Sequence, residues 1–200
     1  MLGTTNVKVK PNKKVNYIEY IESTGTQYID TGFVPNQNSS IEMIVQFNNV
    51  TDTETLYCSR VDGASNTLTS FKLATKWRVD YNITQQTISG VTINTSSKYK
   101  FYVNKNKVYL NEVLKHTFTS KTVSPTDTWT LMASRINGSD LNNYGRYRLY
   151  GCKIWDNDTL IRNFKPYKDG AGVYCLFDEV EKKYYYNQGT GSFIGGDSIW

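Results

Sequence analysis

The dominant pattern along the chain is alternation of apolar and polar positions. In IEMIVQF, Ile41, Met43, Val45 and Phe47 share one side and Glu42 and Gln46 the other. KWRVDYN sets Trp77, Val79 and Tyr81 against Arg78, Asp80 and Asn82, and KYKFYV sets Tyr99, Phe101 and Val103 against Lys98 and Lys100. A period of two marks strands with one buried face. KFYVNKNKVYL predicts a hairpin around Asn104–Lys107, because Asn accepts the left-handed backbone of tight turns. TWTLMAS predicts a strand from Trp129 to Ser134. RYRLYGCKIWD predicts a longer one, interrupted at Gly151 by a bulge or a close backbone contact. Asn157-Asp158-Thr159 turns the chain into LIRNF. GVYCLFD and KYYYN then flank EVEKK, where Asp178, Glu179 and Glu181 read as solvated turn charges. YIEYIE, with neither face cleanly apolar, reads as an edge strand. A Gly-centred turn at Ser23–Thr26 leads from it into QYIDT. About a dozen short strands with turn signals every ~8–15 residues predict an all-β, two-sheet antiparallel sandwich or jelly roll.

Composition adds organisation. Residues 1–15 read as a basic N-terminal arm and 16–200 as one β-sandwich domain, since no linker divides the chain and only 4 prolines occur in 200 residues. Residues 1–18 contain Lys8, Lys10, Lys13 and Lys14 and no acid, and so carry four of the net five positive charges. The rest is nearly neutral, which argues against nucleic acid as a partner. The arm has two readings, a solvated terminus or a segment that docks on an acidic neighbour. Cys58, Cys152 and Cys175 are too few for a disulfide framework and lack metal-ligand spacing; buried free thiols are expected. No signal-peptide pattern or long apolar run appears, so the sequence reads as made in a cytoplasm and not membrane-bound.

Several segments resemble a known family. YIEYIESTGTQYIDTGFVPN is similar to the opening of concanavalin A-like (laminin-G-like) jelly-roll domains of phage structural proteins and gut Firmicutes surface proteins. RYRLYGCKIWDNDTLIRNFKPY resembles that family's strand–turn–strand with its R-x-F-x-P ending, and GVYCLFDEVEKKYYYNQGTGSF its closing segment. The likeness covers residues 17–194; the Lys-rich arm and the final GGDSIW fall outside it. It implies a sandwich with a curved face, used for glycan binding or as a virion or surface module.

Chemistry is sparse. Glu19 and Glu22, three apart, point to opposite faces of a strand, and no strand carries a paired-carboxylate motif of glucanase type. The single His116 has no nucleophile elbow to serve. The expectation is therefore a non-enzyme. Glycan recognition needs aromatic platforms with amides and carboxylates beside them. RINGSDLNNYGR offers Asn137, Asp140, Asn142, Asn143 and Tyr144 on what reads as a long loop, or simply a tolerated surface loop. Trp77 and Tyr81 are platform candidates, although their alternation fits core burial better. Calcium is a candidate cofactor through the loop oxygens of Asn137–Asp140. The leading expectation is a phage virion module, a head decoration or tail-associated protein. Lys8, Lys10, Lys13 and Lys14 would dock it to capsid or tail proteins, and the sandwich would face host or mucosal glycans. A stand-alone lectin or surface adhesin is the alternative and a glycoside hydrolase a remote one; self-association stays open.

Overall fold

A chain of alternating strands has to cover its apolar faces, and here two sheets cover each other. The computed structural model describes residues 16–61, 65–136, 138 and 140–199, apart from the side chain of Asp140. Lys8, Lys10, Lys13 and Lys14 lie outside them. Strands are numbered in chain order. The first sheet runs, in space, β10 (Val113–Thr117), β9 (Lys107–Leu110), β8 (Tyr99–Asn104), β3 (Ser39–Phe47), β14 (Tyr147–Asp156), β15 (Thr159–Lys168), β16 (Tyr174–Asp178) and β17 (Lys183–Tyr185). β1 (Ile21–Glu22) lies between β14 and β18 (Ile194–Gly195). The second sheet runs β13 (Asp140–Asn142), β12 (Ser134–Ile136), β4 (Thr53–Arg60), β5 (Thr67–Leu73), β6 (Lys76–Tyr81) and β7 (Thr84–Thr87). β11 (Thr130–Leu131) joins β4 to β2 (Ile29–Asp30). All pairings are antiparallel except β12 with β4, and the described residues contain no helix.

The core lies between the sheets. Ile41, Met43, Val45 and Phe47 are buried from the first sheet and Trp77, Val79 and Tyr81 from the second. Trp77 spans the gap, with its ring centroid 4.5 Å from that of Phe101, while its indole N–H donates to Ser70 Oγ at 2.7 Å. Tyr81 stacks on Phe118 and donates to Lys121 O at 3.1 Å. Both are sealed, at 0% and 3% exposure, so neither offers a platform to a ligand; packing between the sheets claimed them. The three cysteines are free and buried.

The expected hairpin forms between β8 and β9, with Lys105 at φ 56°. Asn157 and Asp158, at φ 47° and 66°, close the β14–β15 turn. The bulge falls at Gly151, where the register of β14 against β3 slips. Four expectations need correction. The Trp129–Ser134 strand is broken, because Met132 turns to φ 69° to donate its N–H to Leu56 O and accept from Gly145 N. YIEYIE is no edge, since β18 covers β1. Asp178 is no solvated turn charge: it is fully buried and accepts from the N–H groups of Asn163 and Val180 at 2.8 and 3.0 Å. RINGSDLNNYGR is no continuous long loop: Arg135–Ile136 and Asp140–Asn142 pair as β12 and β13.

Candidate glycan-binding groove

The outward positions of the first sheet line up across its strands. Tyr109 on β9 faces Tyr102 on β8, Tyr102 faces Glu42 on β3, Glu42 faces Lys153 on β14, and Lys153 faces Asn163 on β15. Glu179 continues the row: its N–H donates to Asn163 O at 3.0 Å, and its carboxylate accepts from Asn163 Nδ2 at 2.6 Å. At ~4.8 Å per strand the row is about 24 Å long. Glu42 and Glu179 were legible as solvent-facing; the register that gathers them with the other four was not.

Three depressions follow the row. One of about 340 Å³ lies between Glu42, Lys100, Tyr102, Asn104, Tyr109 and Glu112. A smaller one, about 90 Å³, includes Glu42, Tyr150, Gly151, Lys153, Asn163 and Lys165. A third, about 220 Å³, includes Tyr17, Tyr150, Lys165, Pro166, Glu179 and Ile199. Glu42 is shared by the first two, and Tyr150 and Lys165 by the last two, so the three form one groove across the strands. Gly151 lines the middle depression without adding a side chain to it.

Aromatic rings mark both ends. Tyr102 stacks against Tyr109 at 5.7 Å and meets Trp155 edge-on at 5.7 Å. At the far end, Tyr17, Tyr167, Phe177 and Tyr184 make a chain of ring contacts at 5.2–5.6 Å. Most of these rings are half-buried, a state that leaves a face for a sugar ring to cover. Charge is ordered between them. Lys100 lies 3.1 Å from Glu42 and 3.4 Å from Glu112, and its bond to Glu42 raises its pKa. Tyr17 donates to Glu179 at 3.0 Å; burial and that carboxylate push its phenol up to about 12. Tyr150 donates to Gln46 Oε1 at 2.8 Å under the Lys98 ammonium, 3.8 Å from its ring centre.

The residues expected from sequence sit elsewhere. Asn142 ends β13 at the edge of the second sheet, and Asn143 and Tyr144 follow it on the way to β14; Asn143 Nδ2 donates to Asn142 Oδ1 at 3.0 Å. Asn137 and the Asp140 side chain lie outside the described residues, and the calcium expectation rests partly on them. Among the described residues no group of three or more His, Cys, Asp or Glu gathers. His116 lies on the edge strand β10, edge-on to Phe118 at 4.6 Å. A roomier depression of about 470 Å³ opens beside Asp30, Arg162 and Glu181. Three of its charges are already paired, Asp30 with Arg135 at 2.9 Å and Arg162 with Glu181 at 2.6 Å, and its Lys183 lies over the Tyr185 ring at 5.1 Å.

Neither a family model nor a curated protein matches the sequence. Solved structures do match in shape. A protein of Bacteroides ovatus, described as a candidate carbohydrate binder, superposes with a TM-score of 0.62 at 12% identity over 92% of this chain. The chain spans 61% of that protein's length. A heptameric SAP-like pentraxin of Limulus polyphemus superposes with a TM-score of 0.58 at 12% identity, covering 92% of this chain and 96% of the pentraxin. The chain therefore has the fold of these structures, the concanavalin A-like jelly-roll sandwich expected from the sequence and its resemblance.

Proposed function

We propose that this chain is a carbohydrate-binding module whose binding face is the groove on the outer side of the first sheet. The observation that carries the reading is the Tyr102–Tyr109–Trp155 cluster standing beside Glu42, Lys100 and Asn104. Sugar rings need an aromatic face to stack on and directional donors and acceptors at their rim. The fold shared with a candidate carbohydrate binder supports the same reading. Binding is favoured over hydrolysis because Lys100 stands between Glu42 and Glu112, making a three-charge network where a glycosidase needs one carboxyl kept protonated. Binding on a glycan array, lost in Tyr102→Ala and Trp155→Ala with an unchanged melting curve, is the expected result. An array signal that both variants retain would move the site off this face. Attachment to a virion through Lys8, Lys10, Lys13 and Lys14 is a separate proposal that rests on the acid-free charge of that segment. Salt-sensitive copurification with particles, lost on deleting residues 1–15, tests it.

A further inference from the structure

The middle of the groove carries a charge imbalance that the aromatic ends do not explain. Lys153 and Lys165 both point outward there, on adjacent strands and diagonal to each other across Asn163. Diagonal positions on a sheet face are ~7–8 Å apart, within joint reach of one anionic group. Of the neighbouring carboxylates, Glu42 pairs with Lys100 at 3.1 Å and Glu179 accepts from the neutral donors Tyr17 and Asn163 at 3.0 and 2.6 Å; neither forms an ion pair with Lys153 or Lys165. Among the described residues neither Lys153 nor Lys165 has an ion-pair partner; on the same sheet Lys100, Arg148 and Arg162 have one, and Lys107, Lys115, Lys168 and Lys183 do not.

Two ammonium groups without ion-pair partners, side by side in the groove, suit a saccharide that brings an anion. A neutral sugar would leave both ammonium groups without a counter-charge. We infer that Lys153 and Lys165 form an anion subsite in the middle of the groove, and that the ligand is an acidic glycan chain whose carboxylate or sulfate sits there while neighbouring rings reach the aromatic ends. The inference rests on the carbohydrate-binding reading and narrows its ligand class. Charge-assisted hydrogen bonds are roughly twice as strong as neutral ones, so an acidic chain is expected to bind about tenfold or more tighter than a neutral chain of equal length.

The test is calorimetric titration of the full chain with three oligosaccharides of matched length: neutral, uronate-containing and sulfated. Wild type is compared with the Lys153→Gln/Lys165→Gln double variant and with a variant in which Lys8, Lys10, Lys13 and Lys14 are Gln. The expected result is tighter binding of one or both acidic ligands, and a fall to the neutral-ligand affinity in the groove variant alone. The uronate and sulfate arms show which anion is preferred. Equal affinity for neutral and acidic ligands would overturn the anion subsite and leave the glycan reading standing. Acidic preference lost only with the four N-terminal lysines would also overturn it, assigning the charge effect to the terminal segment. No binding of any ligand would overturn both.

Discussion

The sharpest test of the fold's energetics is Lys72→Met. Lys72 on β5 and Glu54 on β4 are fully sealed from solvent, with Nζ 3.7 Å from Glu54 Oε2. The ammonium donates to Asp52 O at 2.9 Å and Asn49 Oδ1 at 3.4 Å, and lies 5.5 Å from the centre of the Phe47 ring. Glu54 accepts from Asn49 Nδ2 at 2.6 Å through one oxygen; the other has no hydrogen bond. Burial pushes the Glu54 carboxyl up and the Lys72 ammonium down, and each is the first-ranked charge opposing the other's shift. Removing Lys72 alone strands a buried carboxylate, which costs about 3–5 kcal/mol. At ~2–4 °C per kcal/mol for a chain of this size, the melting temperature should fall by about 10 °C. Glu54→Leu/Lys72→Met removes both charges and should recover most of the loss. The pH dependence has a definite sign. A carboxyl whose folded pKa is raised holds its proton more tightly when folded, so its burial costs nothing below the ordinary glutamate value and progressively more as pH rises through the folded value. Relative to wild type at each pH, the Lys72→Met deficit should therefore be largest near neutrality and shrink in acid. Urea unfolding across that range measures it. A single variant within about 1 kcal/mol of wild type at neutral pH, or a double variant no better than the single, would refute the reasoning.

Two further outcomes are expected. Trp77→Ala should lose about 3–5 kcal/mol, because it opens a cavity between the sheets and frees Ser70 Oγ; glycan binding by the fraction still folded should be unchanged, and weakened binding in that fraction would return Trp77 to the site. Burial raises the Cys152 thiol well above its usual value and pushes Cys175 up to about 12, so iodoacetamide should leave all three cysteines unmodified in the native protein and label them in denaturant, as intact-mass spectrometry would show.

The sequence made strands, faces and turns legible because those depend on neighbours in the chain. Alternation placed Ile41 to Phe47 inward, the two β-rich runs placed the β8–β9 hairpin (although Lys105, not an Asn, takes its left-handed position), and Gly151 flagged the bulge. Long-range pairing was not legible. Met132 takes a left-handed backbone that its side chain disfavours, because Leu56 and Gly145 hold its peptide groups. Asp178 looked like a turn charge because one of the two peptide N–H groups that donate to it, that of Asn163, is supplied only by β15 lying alongside. The groove was hidden for the same reason. Tyr109, Tyr102, Glu42, Lys153 and Asn163 are scattered through the chain and meet only through the registers of five strands. RINGSDLNNYGR drew notice through local polar density, which a solvated edge hairpin also has.

The pairing of the two described ends has a consequence for anything attached to them. Ile18 bridges Ser198, and Ile199 N donates to Tyr17 O at 3.0 Å, so the first and last described strands lie side by side, about one strand spacing apart. Such a unit can be spliced into a loop of another polypeptide at little closure entropy, because entry and exit are already adjacent. Tyr17 and Ile199 also line the third depression. A fusion partner or surface linkage joined directly at Asn16 or Ile199 therefore starts beside the same end of the groove. There a bulky label crowds the rings, and a tether points the opposite, Tyr109 end away from its anchor.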